Sequence, residues 1–419
     1  MAVAGRIGGE LVAVEQIDGR PRIGDVGDVF KAFLKLGLTS FGGPIAHLGY
    51  FRDELVLRRK WLSEAAYADL VALCQFLPGP ASSQVGFALG FLRGGLPGAL
   101  VAWAAFTLPS VALLLAFAYG AAAFGGPLGQ DLLHGLKLVA VAIVAHAVWG
   151  MARVLAPDRQ RATIALGAVL ILAFVPSALG QIAAILAGAV AGTLWCRRVD
   201  DGGAARLPVV ISRRSGILLL AAFFLLLLGL PAAVALWSAP GLALFEVFYR
   251  AGALVFGGGH VVLPLLEARL VDPGWVSADA FLAGYGAAQA VPGPLFTFAA
   301  YLGAIAEPGP DGVLGAAIAL FGIFLPGMLL LMGVLPFWDR LRRDARMGAA
   351  MAGTNAAVVG ILGAALYQPV WTSAVASSAD FALALTAFVL LAAWKAPPWL
   401  VVLVTVIAAV ALGLVARFG

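Results

Sequence analysis

Charge is scarce in this chain. Of 419 residues only 12% are Asp, Glu, Lys or Arg, against roughly a quarter in soluble domains. With 62% hydrophobic residues and a mean hydropathy of +0.99, a soluble globular fold is excluded and an integral membrane protein is implied. Short segments of alternating polarity, the mark of a transmembrane β-barrel, are also missing. Several apolar runs instead approach or exceed the ~20 residues that cross a bilayer as a helix. The expected fold is an all-α polytopic membrane protein whose surroundings are the lipid bilayer.

Cysteine is nearly absent. Cys74 and Cys196 have neither C-x-x-C spacing nor neighbouring histidines, so no disulfide framework and no metal centre is expected, and both read as reduced packing residues. There is no Walker A motif, and "GGPIAHLG" is not G-x-G-x-x-G and follows no strand. ATP-driven pumping and dinucleotide binding are therefore set aside. No cofactor is expected, and a membrane reductase, which would need one, is disfavoured; the chain does not read as an enzyme. The net charge of +5 would suggest nucleic acid in a soluble protein. Here most Lys and Arg fall in short loops between apolar runs, which positive-inside topology explains without a nucleic-acid partner. The first 27 residues mix acidic and basic side chains with no uninterrupted apolar core and no A-x-A site, so they do not read as a signal peptide.

What is present is a pattern of apolar segments: 29–48, 66–92, 96–123, 135–155, 162–175 and 177–195, then 216–237, then 242–265, 280–304, 312–336, 349–368, 382–394 and 397–418. That is six, one and six. A shift of 215 places Phe33 on Phe248, Gly37 on Gly252, Phe41 on Phe256, and Gly42 and Gly43 on Gly257 and Gly258. A shift of 214 places Trp61 on Trp275, Ser63 on Ser277, Gln75 on Gln289, and Pro78-Gly79-Pro80 on Pro292-Gly293-Pro294. The organisation expected is a cytoplasmic tail (1–28), a first membrane repeat (29–196), a basic loop with a linker helix (197–241, the helix at 216–237) and a second repeat (242–419). Six segments and one linker put the second repeat in the membrane upside down.

Loop charge supports that inversion. Arg340, Arg342, Arg343 and Arg346 lie in a loop whose counterpart in the first half, "GGPLGQDLLH", has no Arg or Lys. Arg58, Arg59 and Lys60 answer to Glu267, Asp272 and Asp279 with a single Arg269. The second contrast favours re-entrant hairpins at the front of each half, giving nine crossing helices and four re-entrant elements; thirteen crossings is the alternative.

Four breaker-rich stretches fall at repeat-related places: "TSFGGP" (39–44), "LPGP" (77–80), "VFGGGH" (255–260) and "VPGP" (291–294). Proline removes a backbone donor and glycine reaches conformations other residues avoid, so together they end helices. A broken helix at membrane depth is tolerated only where protein or water surrounds it. In inverted-repeat transporters such breaks meet near the midplane and aim half-helix N-termini at anionic groups. Kinking or close packing is the structural alternative.

The candidate binding residues are Lys35, Thr39, Ser40, Gly42, Gly43, Pro44, Gln75, Pro78, Gly79, Pro80, Ser82, Arg250, Gly257, Gly258, Gly259, Gln289, Pro292, Gly293 and Pro294. Lys35 and Arg250 correspond under the 215 shift, and the choice between anion binding and snorkelling to the headgroups stays open for both. Ser83, Gln84, Thr297 and Asn355 are further polar candidates. His47, His260, Glu64, Asp69 and Glu246 are candidates for carrying protons.

The stretches "FLKLGLTSFGGPIAHLGYFRDELV", "RRKWLSEAAYADLVALCQFLPGPASSQ", "FYRAGALVFGGGHVVLPLLE" and "AGYGAAQAVPGPLFTFAAYLG" resemble the chromate ion transporter family, in its long two-domain form. The resemblance covers about a third of the chain. It implies gradient-driven export of chromate, with sulfate as its natural isostere, across a bacterial inner membrane, giving chromate resistance. The residues themselves point to a secondary transporter for a small anion, and the first reading is an oxyanion exporter working by alternating access. A passive channel of the same architecture is the alternative, and a homodimer is compatible with either. Gly259 stands where the first half has Pro44, so the two hairpins need not bind alike.

Overall fold

The computed structural model describes residues 25–41, 43–123, 127–196, 211–256, 261–341 and 344–418. Gly42, Gly257, Gly258, Gly259 and His260, all singled out above, lie outside the described residues.

The described residues are helical, with no strand among them. The first half begins with α1 (Asp25–Thr39), α2 (Gly43–Phe51), α3 (Glu64–Phe76) and α4 (Ala81–Ala123). It continues through α5 (Pro127–Leu155), α6 (Arg159–Phe174) and α7 (Ala178–Trp195). The linker is α8 (Arg213–Leu236). The second half opens with α9 (Pro240–Leu254), α10 (Val262–Leu270), α11 (Ala278–Ala290) and α12 (Phe298–Ile305). It closes with α13 (Gly312–Val334), α14 (Trp338–Leu341), α15 (Ala345–Ala365), α16 (Thr372–Ala374), α17 (Ser378–Ala392) and α18 (Pro398–Phe418).

Local chemistry fixes the boundaries, and it repeats. Ser63 and Ser277, equivalent under the 214 shift, cap α3 and α11 by accepting from Ala66 N–H and Ala280 N–H, which satisfies one of the open donors of a first helical turn. Both helices stop at an extended residue before proline, Leu77 (ψ 148°) and Val291 (ψ 148°), as the residue preceding proline prefers. The long α4 is two helices joined at Gly94 and Gly95, whose φ of +62° at Gly95 breaks the helical run. The apolar segments 66–92 and 96–123 are thereby separated where the sequence separates them.

The front of each half turns back on itself. Arg59 Nη1, after α2, lies 3.1 Å from Asp28 Oδ1 in the first turn of α1. In the second half, Arg269 Nη2 near the end of α10 lies 2.5 Å from Glu246 Oε2 midway along α9. The two arms of each hairpin are thus held together. Among the described residues, six helices are long and apolar enough to cross a membrane, one of them α8, of whose apolar window only 11% is buried. Six long spans alone already make the protein polytopic.

The two halves share their cores. Leu331, Leu335 and Trp338 of the second half pack with Phe33, Phe51, Leu55 and Phe106 of the first, and Trp338 Nε1 donates to Asp69 Oδ1 at 3.2 Å. Conversely Val111, Leu114 and Ala118 of α4 join the core built around α9 to α13. Neither half buries its apolar faces alone. Both cysteines are free thiols.

Candidate functional site

The four breaks meet in pairs, and each pair joins one half to the other. Gly293 N–H, at the second Pro-Gly-Pro tip, donates to the Ser40 carbonyl at 2.8 Å, and Gly79 N–H, at the first tip, donates to the Val255 carbonyl at 2.7 Å. Ser40 and Val255 correspond under the 215 shift, Gly79 and Gly293 under the 214 shift. The same bond is therefore made twice, with the halves exchanged.

Only glycine fits at these tips. Gly79 has φ +123° and Gly293 φ +101°, a region L side chains avoid. A Cβ on Gly79 would lie 3.1 Å from Gly327 Cα, and one on Gly293 would overlap Ser110 Oγ and lie 3.2 Å from the Phe106 carbonyl. The other half is that close.

Each tip rests on a proline step of the opposite half. Ser110 Oγ donates to the Pro292 carbonyl. Gln84 Nε2 donates to the Pro78 carbonyl at 3.1 Å and to the Gly327 carbonyl at 3.0 Å. Ser110 and Gly327 follow Pro109 and Pro326 inside α4 and α13. Leu108-Pro109-Ser110 and Leu325-Pro326-Gly327 are related by a shift of 217, a match that marks them as repeat-related but does not point to the tips.

Polar groups without partners gather at these contacts. Ser40, Ser82, Ser83, Gln84 and Thr107 are all buried. Ser40 Oγ, Ser83 Oγ, Gln84 Oε1 and Thr107 Oγ1 make no hydrogen bond. A buried polar atom left unpaired costs about 1–3 kcal/mol, and several together need an explanation. The Ser40, Ser83 and Thr107 hydroxyls and the Gln289 amide are all able to donate. His47 Nδ1 is 3.4 Å from Ser82 Oγ, and its ring stands edge-on to Phe106 at 5.3 Å between centroids. Ser40, His47, Ser82, Phe106, Ser110 and Gly293 thus share one neighbourhood. The half-helices beginning at Gly43, Ala81 and, after the turn Leu295–Thr297, Phe298 start at these tips, where N-termini present amide N–H groups and partial positive charge.

The remaining candidates are placed differently. Lys35 Nζ is 2.8 Å from Glu54 Oε2, with its side chain half exposed, and Arg250 Nε is 2.6 Å from Glu246 Oε1, with 25% of its side chain exposed. Each cation therefore has a carboxylate. Glu54 also receives Arg58 and Arg59, and the Lys35 ammonium, ahead of these two, holds its carboxyl down to about 2 against the effect of burial. Thr39 Oγ1 donates to the Lys35 carbonyl at 2.8 Å. Gly43 has φ +78° with open space where a Cβ would stand. Pro44 is half-buried, Pro80 and Pro294 are buried, and Gln75 is exposed while Gln289 is half-buried. Glu64 is exposed and pairs with Arg52 at 3.0 Å. Asn355 Oδ1 is buried without a partner on α15, and Thr297 Oγ1 donates to the Pro294 carbonyl at 2.7 Å.

Residues 27–193 and 242–414 match the family model of the chromate transporters. The chain is 30% identical over 356 residues to the chromate transport protein of Pseudomonas aeruginosa, covering 80% of this chain and 79% of that one. It is 29% identical over 343 residues to the chromate transport protein of Cupriavidus metallidurans, covering 79% of each. An uncharacterized transporter of Methanocaldococcus jannaschii is 27% identical over 320 residues, 76% of this chain and 77% of that one. No solved structure matches. The chain belongs to the chromate transporter family.

Proposed function

We infer that this member of the chromate transporter family is a secondary transporter that exports chromate, and sulfate or related tetrahedral oxyanions, by alternating access across a bacterial inner membrane. The substrate site is the region between the crossed tips, where hydroxyl and amide donors around Ser40, Ser82, Thr107 and Gln289 and the half-helix N-termini meet an oxyanion. Lys35 and Arg250 supply positive charge nearby. An ammonium carries three donors, and Glu54 uses one of those on Lys35.

The observation that carries this reading is an asymmetry between positions the repeat makes equivalent. Along α3, Ala68, Ala72 and Gln75 are exposed, whereas Leu282, Gly286 and Gln289 in the same places along α11 are buried or half-buried. Along α1, Lys31, Lys35 and Thr39 are exposed, whereas Glu246, Arg250 and Leu254 of α9 are buried or half-buried. Charged and amide side chains do not face hydrocarbon at low cost, so the open face of the first-half hairpins is an aqueous approach. One approach is open and its counterpart closed, which suits a carrier better than a channel.

Contacts at the two ends of the bundle support opposite orientations for the halves. Asp131 with Arg417, His134 with Asp380 and Lys137 with Asp279 tie together segments that lie outside when the hairpins re-enter. Asp28 with Arg59 and Asp69 with Trp338 tie segments assigned inside, with the N-terminus cytoplasmic. These contacts fit nine crossing helices and four re-entrant elements better than thirteen crossings. Exchange of labelled chromate and of labelled sulfate in proteoliposomes, with and without a pH gradient, tests the reading. Chromate movement that responds to a gradient is expected, and no movement above protein-free vesicles overturns it.

A further inference from the structure

Away from the tips, α6, α7, α10 and the end of α15 line a partly open cavity of about 530 Å³. Its polar lining is Ser177, Gln181, Glu267, Asp272, Tyr367 and Gln368. Among the described residues no hydrogen bond or ion pair engages the Glu267 carboxyl. Gln181 is only 5% exposed. Its Nε2 donates to the Pro264 carbonyl at 3.0 Å, and since a carbonyl only accepts, the amide can point no other way. Its Oε1 is left buried with no partner. Pro264 and Glu267 are three residues apart on α10, on one helix face, and both line the cavity together with Gln181. Gln368 leaves helical geometry (φ −129°, ψ 117°) inside a π-helical turn, an irregularity frequent at functional sites.

The lining is rich in oxygen acceptors and contains no cation. Arg269, on Glu267's own helix, is taken by Glu246 of α9, which also holds Arg250. α6, α7 and α15 bring only neutral side chains, and the other titratable groups are the Asp272 carboxyl and the Tyr367 phenol. With two carboxylates and no cation in the lining, the charge of the cavity disfavours an anion.

We propose that this cavity is a binding site for a small monovalent cation, a proton or Na⁺, held by the Glu267 carboxyl and Gln181 Oε1. A protonated Glu267 donates to a neighbouring acceptor, whereas Na⁺ would be shared between carboxylate and amide oxygen. Burial, and then the Asp272 carboxylate, raise Glu267 to about 7, which suits exchange near neutral pH. The site is separate from the crossed tips and stands or falls without regard to the oxyanion carried.

The test uses the full chain in lipid nanodiscs and dicyclohexylcarbodiimide, which adds to protonated carboxyls, with the Glu267 peptide quantified by mass spectrometry between pH 5 and 9. Labelling that falls by half near pH 7, and at lower pH in Asp272→Asn, supports the proposal. At fixed pH, protection by NaCl but not choline chloride identifies Na⁺ as an occupant, and equal labelling in both identifies the proton. Labelling of Glu267 no greater than that of the exposed Glu64 throughout, with no response to Na⁺ or to Asp272→Asn, overturns it. This readout needs no transport, so it is distinguishable from failure of the oxyanion reading.

Discussion

Gly293 donates its amide to the carbonyl of Ser40, 253 positions earlier, at 2.8 Å. The bond joins the Pro-Gly-Pro tip of one half to the glycine-rich break of the other, and Gly79 with Val255 repeats it at 2.7 Å. Two breaks that would each expose backbone at membrane depth satisfy one another instead, as a lipid environment demands.

Gly293→Ala is expected to cost about 1–3 kcal/mol through its left-handed backbone alone, and to displace Ser110 as well. Thermal unfolding in detergent should register the loss, and transport should fall with it. Adding Ser110→Gly removes the overlapping hydroxyl and should recover part of the stability but not all, because the backbone strain remains.

Gln84→Leu leaves the Pro78 and Gly327 carbonyls without their side-chain donor, at about 1–3 kcal/mol for each that finds no other partner. A lowered melting temperature is expected. Asn355→Leu, which removes an amide with an unpaired oxygen, should cost less in the same assay.

Lys35→Gln should leave folding intact, since Glu54 keeps Arg58 and Arg59. A charged hydrogen bond contributes about 1.5–3 kcal/mol, so the KM for oxyanion should rise about tenfold or more. Arg250→Gln, which leaves Glu246 with Arg269, should behave likewise. Unchanged KM in either variant would remove that residue from the site.

Glu267 gives a pH dependence of defined sign. Its value in the fold is raised from 4.5 to about 7, so the folded protein holds a proton that the unfolded chain releases. Stability is full below the unfolded value and is lost as pH rises through the folded one. Glu267→Gln should therefore raise the melting temperature at pH 8 and change it little at pH 4.

Much of this was legible in the sequence because it rests on local rules. Serine caps, extended residues before proline and glycine-rich breaks recur at fixed shifts, and each acts through its own backbone. The ion pairs were not legible. Glu54, which takes Lys35, aligns with Arg269, and Glu246, which takes Arg250, aligns with Lys31. The repeat preserves the hairpin closure while exchanging the signs, so a search for matched residues sees two isolated cations. Ser110 and Gly327 were hidden for another reason. They sit inside uninterrupted apolar runs, at a shift of 217 rather than 214 or 215, and only the approach of the opposite tip gives them a role.

Counterflow tests the central claim most directly. Vesicles loaded with unlabelled chromate and diluted into labelled chromate should accumulate label transiently above equilibrium through the wild-type chain, with the overshoot reduced in Gly293→Ala. Label that merely equilibrates, with no overshoot, would show a dissipating pathway and contradict one-sided access to a site between the tips.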